Sequence, residues 1–326
     1  MRDDRPDRGE PAPDSAGASE TAVRAALAAA CPGHEPVAVE PFGRGNRKRT
    51  VLVRFADREP VVVQTSGRAG ALRAEASVLR ALTDRTDVPV PAVVGAGTAD
   101  GTGYLVTEHV AGEDLHARFT ALDADTQRGL ARTFGRHLGA VHEGFAFERY
   151  GPLAAAGSLR AEEGDWRAWL RSYGLGALER LPAAFDGLRE RARELLAEPA
   201  VEPEPPATLF PWDFRPGNAL VADGELVAVL DWEAPLAAAP ALSVAKAEYL
   251  VADWYVDDPD PLRTAFRAGY QEVRPYPEVS PVHRVAAVAD SAVDTAGSVT
   301  RPGFPERDRA GAVAFHRRAL ERALDG

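Results

Sequence analysis

The period of the apolar positions changes once along this chain. In Pro36–Pro41, Val37 and Val39 alternate with other residues; Thr50–Phe55 and Pro60–Thr65 are apolar and β-branched, with Asp57-Arg58-Glu59 as the turn between them. These runs predict strands, as do Ala92–Gly95 and Tyr104–His109. Among them, Leu72, Ala76 and Leu79 recur at helical spacing and predict a helix over Ala69–Leu82. Beyond Val110-Ala111-Gly112 the pattern is mostly helical. Helices are predicted over Ala124–Glu143, Gly176–Ala197, Leu242–Asp253, Pro261–Glu272, Pro281–Ala296 and Glu306–Leu324. Ahead of the strands, alanine-rich Glu20–Ala30 predicts a helix with Ser19 as its N-cap. The charged, Pro-, Gly- and Ser-rich start predicts a disordered tail. The order is that of an α+β chain: a tail over 1–19, a β-rich N-terminal lobe over 20–112 and a mainly helical C-terminal lobe over 113–326.

One stretch interrupts the helical texture. Leu209–Val221 reads Leu-Phe-Pro-Trp-Asp-Phe-Arg-Pro-Gly-Asn-Ala-Leu-Val, and Ala222-Asp223-Gly224 leads into Leu226–Glu233. Ala219–Val221 and Leu226–Leu230 predict two short strands joined by the Asp-Gly turn. That hairpin returns Asp231 toward Asn218, with Asp213 shortly before it in the loop. A kinase-type phosphotransferase needs such a set: one carboxylate at the acceptor hydroxyl and two oxygen ligands for magnesium. Asx-turn chemistry accounts for any one of these residues alone, but it demands no fixed order of Asp, Asn and Asp.

On these residues the chain resembles the aminoglycoside phosphotransferase family, small-molecule kinases of the protein-kinase-like fold. Asp213, Pro216-Gly217-Asn218 and Asp231-Trp232-Glu233 match the family pattern. Pro211-Trp212 stands where the family has His-Gly, and Ala238-Ala239-Pro240 and Ser243 stand where it has Gly-Asp-Pro and a later aspartate. The resemblance spans about Val37 to Tyr255. It implies a bilobal protein-kinase-like fold, Asp213 as the catalytic aspartate, and Asn218 and Asp231 as ligands of Mg2+. The implied reaction moves the γ-phosphate of ATP to a hydroxyl of a small-molecule acceptor.

The resemblance also implies a nucleotide site. Phe42-Gly43-Arg44-Gly45-Asn46 falls where the family has its phosphate-covering loop, and glycines there let backbone N–H groups approach a phosphate. Thr107-Glu108-His109-Val110 falls at the hinge, where the backbone at Glu108 and Val110 would read the adenine. Glu75 is placed as the helix partner of a phosphate-binding lysine on the third strand. That strand carries Gln64 instead, which can hydrogen-bond a phosphate but brings no charge. An arginine is one source of the missing charge: Arg44 in the loop, or Arg47 and Arg49, which share the parity of Val51 and Val53, a face that could cover the adenine. Two readings stay open. One is an active phosphotransferase; the other is a catalytically weak or inactive kinase-like protein that binds nucleotide or a partner, motivated by Gln64, Pro211 and Trp212. A protein kinase acting on Ser or Thr fits less well, because no activation segment follows Asp231.

Composition narrows the field further. At 326 residues and 45% hydrophobic content the chain has ample length for a packed core. A net charge of -11 argues against non-specific nucleic-acid binding. Cys31 is the single cysteine, so no intramolecular disulfide is possible. The sequence shows no membrane-length apolar run and no signal-peptide core, so no membrane partner and a cytoplasmic location are expected. Of the 38 lysines and arginines, only Lys48 and Lys246 are lysine. The surplus acid reads as a solubility device of the whole surface. The acceptor is not legible. Glu248–Tyr255, followed by Asp257, Asp258 and Asp260, could hold a cationic amine, but an amphipathic helix end with an acidic surface is the favoured reading. His137 and His142 have no partners at metal-ligand spacing and read as core or surface histidines. Arg215 stands where it could hold the loop or a phosphate.

Overall fold

The computed structural model describes residues 13–42, 48–155, 158–202, 204–294, 297–299 and 308–326. Gly43, Arg44, Gly45, Asn46 and Arg47, and residues 1–12 of the expected tail, lie outside the described residues. The chain forms two compact units. One runs to Ala76 and resumes over Ala92–His109; the other comprises Ser77–Pro91 and Val110–Gly326.

The first unit holds helix α1 (Pro13–Ala30) and strands β1 (Pro36–Pro41), β2 (Arg49–Phe55), β3 (Val61–Ser66), β4 (Val93–Ala99) and β5 (Thr102–Glu108). They form one antiparallel sheet in the order β1-β2-β3-β5-β4. Its register pairs Val51 with Val63, Val53 with Val61 and Val63 with Val106. Those valines therefore share a face, and they bury against Val23, Ala26 and Leu27 of α1 and against Cys31, which follows it. Thr50, Leu52, Val62, Gln64 and Leu105 share the opposite face by the same register. The reading of the Val51–Val53 face as an adenine cover is thus corrected: α1 covers it, and Arg49 follows that parity. Alternation fixes which residues share a face but not what packs on it. Helix α1 begins at Pro13, so Ser19 lies inside it and is not its N-cap. Helix α2 (Ala69–Arg85) carries Glu75 in its first half.

The second unit contains β6 (Glu113–Asp114), α3 (Leu115–Arg118), α4 (Ala124–Gly144), β7 (Gly151–Pro152), β8 (Ala154–Ala155), β9 (Leu159–Arg160), α5 (Trp166–Arg180), α6 (Asp186–Ala197) and β10 (Thr208–Phe210). After these come β11 (Ala219–Ala222), β12 (Glu225–Val229), β13 (Leu236–Ala238), α7 (Pro240–Glu248), a π-helical turn over Tyr249–Asp253, α8 (Asp260–Gln271), α9 (Pro281–Ser291) and α10 (Arg309–Asp325). The single helix expected over Gly176–Ala197 is two helices, α5 and α6. Leu181 takes an extended ψ of 134° before Pro182, which offers no amide proton and disfavours helix in the residue before it. Asp165 caps the start of α5 by accepting from the Ala168 amide.

Helices α4 and α8 cross where each has a glycine. A Cβ on Gly135 would overlap the Phe266 backbone of α8, and one on Gly269 would overlap the Arg132 backbone of α4. Two small sheets, β12-β11-β6 and β10-β13-β7, flank the segment from Pro211 to Asn218. No helix among the described residues is long and apolar enough to cross a membrane.

Candidate active site

The loop after β10 is anchored from within. Phe214 is buried and meets Phe134 of α4 and Trp232 edge-on, with ring centroids 5.4 and 6.1 Å apart. Trp232 is itself buried and donates its indole N–H to the Val229 carbonyl at 3.0 Å. With Phe214 facing inward, Asp213 and Arg215 on either side are only partly buried. Arg215 Nε donates to Asp213 Oδ1 at 2.7 Å, and Asn218 Nδ2 donates to Asp213 Oδ2 at 3.0 Å and to its carbonyl at 2.9 Å. Burial opposes ionisation of Asp213, but the Arg215 guanidinium, the Lys246 charge and the Asn218 amide outweigh it and hold the carboxyl below the usual carboxylate range.

The β11–β12 hairpin forms as expected. Its turn residues Asp223 and Gly224 have φ of +53° and +80°, the left-handed pair of a tight hairpin turn. The Leu230 amide donates to the Asn218 carbonyl at 2.7 Å, which ties the residue before Asp231 to Asn218. Asp231 is exposed and has φ of +59°, a conformation aspartate tolerates better than most side chains. Among the described residues, no group of three or more His, Cys, Asp or Glu is gathered as a metal site.

Residues far along the chain complete the loop's surroundings. Trp212 donates its indole N–H to Asp290 Oδ2 at 2.8 Å, and the Lys246 ammonium lies 4.5 Å from the Trp212 ring centroid. Asp290 also accepts from the Tyr173 hydroxyl at 2.6 Å and forms ion pairs with Lys246 and Arg180. Burial alone would raise the Asp290 pKa; Lys246, Tyr173 and Arg180 instead bring it down to about 2. On the other side, Arg215 stacks over Trp254 at 5.3 Å, and Tyr255 shares a 3.0 Å hydrogen bond with His116. Burial pushes the Tyr255 phenol up to about 12. Sequence reasoning missed Asp290, Lys246 and Tyr255 as neighbours of the loop, since no local pattern marks them.

The acids once open as cation receptors are interior. Glu248 and Asp253 are buried, Glu248 held by Arg267 and Tyr276, and Asp253 by Arg263. The favoured acidic surface is therefore confined to Asp257, Asp258 and Asp260, which are exposed.

In the first unit, Glu75 is buried on α2, and Lys48 Nζ reaches both of its carboxylate oxygens at 3.0 and 2.9 Å. Gln64 sits half-buried in β3, opposite Thr50 and Leu105. The Glu108 amide donates to the Ala92 carbonyl at 2.9 Å and the His109 amide to the Pro60 carbonyl at 3.1 Å. Both of these amides are thus engaged by backbone carbonyls.

The chain matches the phosphotransferase enzyme family (APH) over residues 38–282 and belongs to it. No curated protein matches the chain. Among solved structures, the aminoglycoside phosphotransferase APH(4)-Ia is similar with a TM-score of 0.65 at 14% identity, over 89% of this chain and 94% of that one. A putative fructosamine-3-kinase from Haemophilus somnus 129PT gives 0.62 at 15% identity, over 94% and 97%. A putative aminoglycoside phosphotransferase from Ralstonia eutropha JMP134 gives 0.63 at 16%, over 96% and 97%. At such identities the likeness shows the fold, which is the mixed α and β kinase-like one. Family and fold together make the protein a kinase-type phosphotransferase for small molecules.

Proposed function

We propose that this protein transfers the γ-phosphate of ATP to a hydroxyl group of a small molecule. The observation that carries the reading is the Asp213 carboxylate, pinned between Arg215 and Asn218 in a loop whose hairpin ends in Asp231. Each Asp213 oxygen accepts one of these bonds, and an ionised carboxylate has about four acceptor positions, so it retains capacity for an acceptor hydroxyl. Asp213 would accept that hydrogen bond and take the proton as the new O–P bond forms. Arg215 and Asn218 fix its angle, and positioning supplies most of the rate in this chemistry. Asn218 spends its amide protons on Asp213, which leaves its oxygen as the donor toward a cation. Asn218 and Asp231 would hold magnesium; a small set of hard oxygens suits an ion that keeps water and phosphate oxygens as its other ligands. When bound, that ion neutralises charge on the phosphoryl oxygens. Structures of APH(4)-Ia in ternary complex with AMP-PNP or ADP and hygromycin B support nucleotide and a hydroxylated small molecule as ligands here.

A second reading, weak or absent catalysis, draws on two observations. The 2.7 Å Arg215 contact engages the carboxylate that must receive the proton, and Trp212 fills a position the family leaves to glycine. Calorimetric titration of Mg·ATP into wild type and Asp231→Ala decides whether nucleotide binds through the metal ligands. Magnesium-dependent binding lost in the variant, followed by ADP release with hydroxylated amines or sugars, supports transfer. Binding without ADP release for any acceptor favours the weak reading, and no binding removes the proposed transfer from ATP.

A further inference from the structure

We propose that Lys48, entering from the residue before β2, is the cation that holds the α- and β-phosphates of the nucleotide, with Glu75 orienting it. The assignment rests on the phosphotransferase reading and places the charge that Gln64 lacks. Kinase-type phosphotransfer needs a lysine paired with a helix glutamate. Glu75 on α2 is buried, and its partner is Lys48, whose side chain is 11% exposed and contacts both carboxylate oxygens.

The contact with Glu75 places the Lys48 ammonium beside α2. Thr50 pairs with Gln64 on one face of the sheet, and Lys48 lies just outside β2, two positions before Thr50. The Thr50–Gln64 face is the one opposite α1. Lys48 thus supplies, from the residue before β2, a lysine–glutamate pair that Gln64 of β3 cannot supply. Arg49, one residue on, belongs to the α1 side and cannot replace it.

Composition gives independent support. Lysine occupies only two of 38 basic positions, and both ammonium groups pair with a buried carboxylate, Lys48 with Glu75 and Lys246 with Asp290. Arginine is not equivalent there: its planar fork saturates one carboxylate bidentately, whereas an ammonium is a compact charge whose donors diverge. Nor does stability explain the pair, since a buried ion pair contributes little over a hydrophobic replacement.

The test measures adenosine, ADP and Mg·ATP binding by calorimetry in wild type, Lys48→Met and Lys48→Met/Glu75→Leu. The double variant removes both charges, so no unpaired buried carboxylate unfolds the protein. Circular dichroism and a cooperative urea transition verify that it is folded. Loss of one charged phosphate contact should weaken ADP and Mg·ATP by about tenfold to 100-fold. Adenosine affinity should stay unchanged, which a purely structural role would not predict. A folded double variant that binds ADP and Mg·ATP as wild type does overturns Lys48 while the kinase reading stands. Equal losses for adenosine and ADP overturn it too, because the pair would then only shape the site. A wild type that binds neither nucleotide removes the parent reading and this assignment with it.

Discussion

At Asp290 four side chains from distant parts of the chain meet one carboxylate, and one of them is the indole next to Asp213. Its Lys246 partner is as buried as Asp290 itself. Removing the carboxylate would strand an ammonium in the interior and leave the Trp212 N–H without its acceptor. Asp290→Ala should therefore destabilise by about 3–5 kcal/mol in urea denaturation, the range for breaking a buried pair from one side. Asp290→Asn retains an acceptor for the indole and should lose less; an Ala variant as stable as wild type would remove the hub from the account. Gly217 is a second pressure point, since a Cβ there would lie 2.6 Å from Arg215 Nη1 and 3.2 Å from the Tyr255 hydroxyl. The guanidinium is the far end of a flexible side chain and can yield. Gly217→Ala should then shift Arg215 off Asp213 and lower turnover, with the unfolding free energy changed by less than about 1 kcal/mol.

Among the helices, glycines act as contact surfaces. Alanine gains about 1 kcal/mol over glycine in a helix interior, while overpacking costs about 1–3 kcal/mol, so the neighbour decides the sign. At Gly135 and Gly269 the neighbour is backbone of the facing helix, which cannot rotate away. Gly135→Ala and Gly269→Ala should each lower the melting temperature. At Gly174 the closest atom is Cδ2 of Leu196, 2.5 Å from a Cβ, and a leucine can change rotamer. Gly174→Ala should cost clearly less than the other two. Thermal melts that rank Gly174→Ala as the worst of the three would contradict helix packing through backbone contact.

Across the molecule, buried histidines couple stability to pH. Burial first, then a nearby arginine, lowers His137 and His283 to about 4 and His142 to about 3. In the unfolded chain each titrates near 6.5, so between there and about 4 the unfolded state binds the extra protons. Their contribution is complete above about pH 6.5 and falls as pH drops, by up to about 1.4 kcal/mol per pH unit for each histidine. Urea denaturation from about pH 7.5 down to about pH 5 should show this loss before most carboxylates titrate. Constant stability over that interval would mean the three rings are not buried in neutral form.

The sequence by itself determined the parts governed by short-range geometry. Alternation and helical periodicity marked most elements, and the Asp223-Gly224 turn specified its hairpin. Asp213 and Asn218 close on each other across five residues, so their meeting was legible from spacing. The Leu181-Pro182 break was local as well, but apolar periodicity continuing on both sides concealed it. Tertiary structure alone decided that α1 covers the Val51–Val53 face, because alternation fixes which residues share a face but not what packs on it. It also decided that Lys48 meets Glu75 across 27 residues and that Trp212 meets Asp290 across 78. Such pairs form only when separate elements pack, and the burial that strengthens them is a property of the assembled interior, not of any segment.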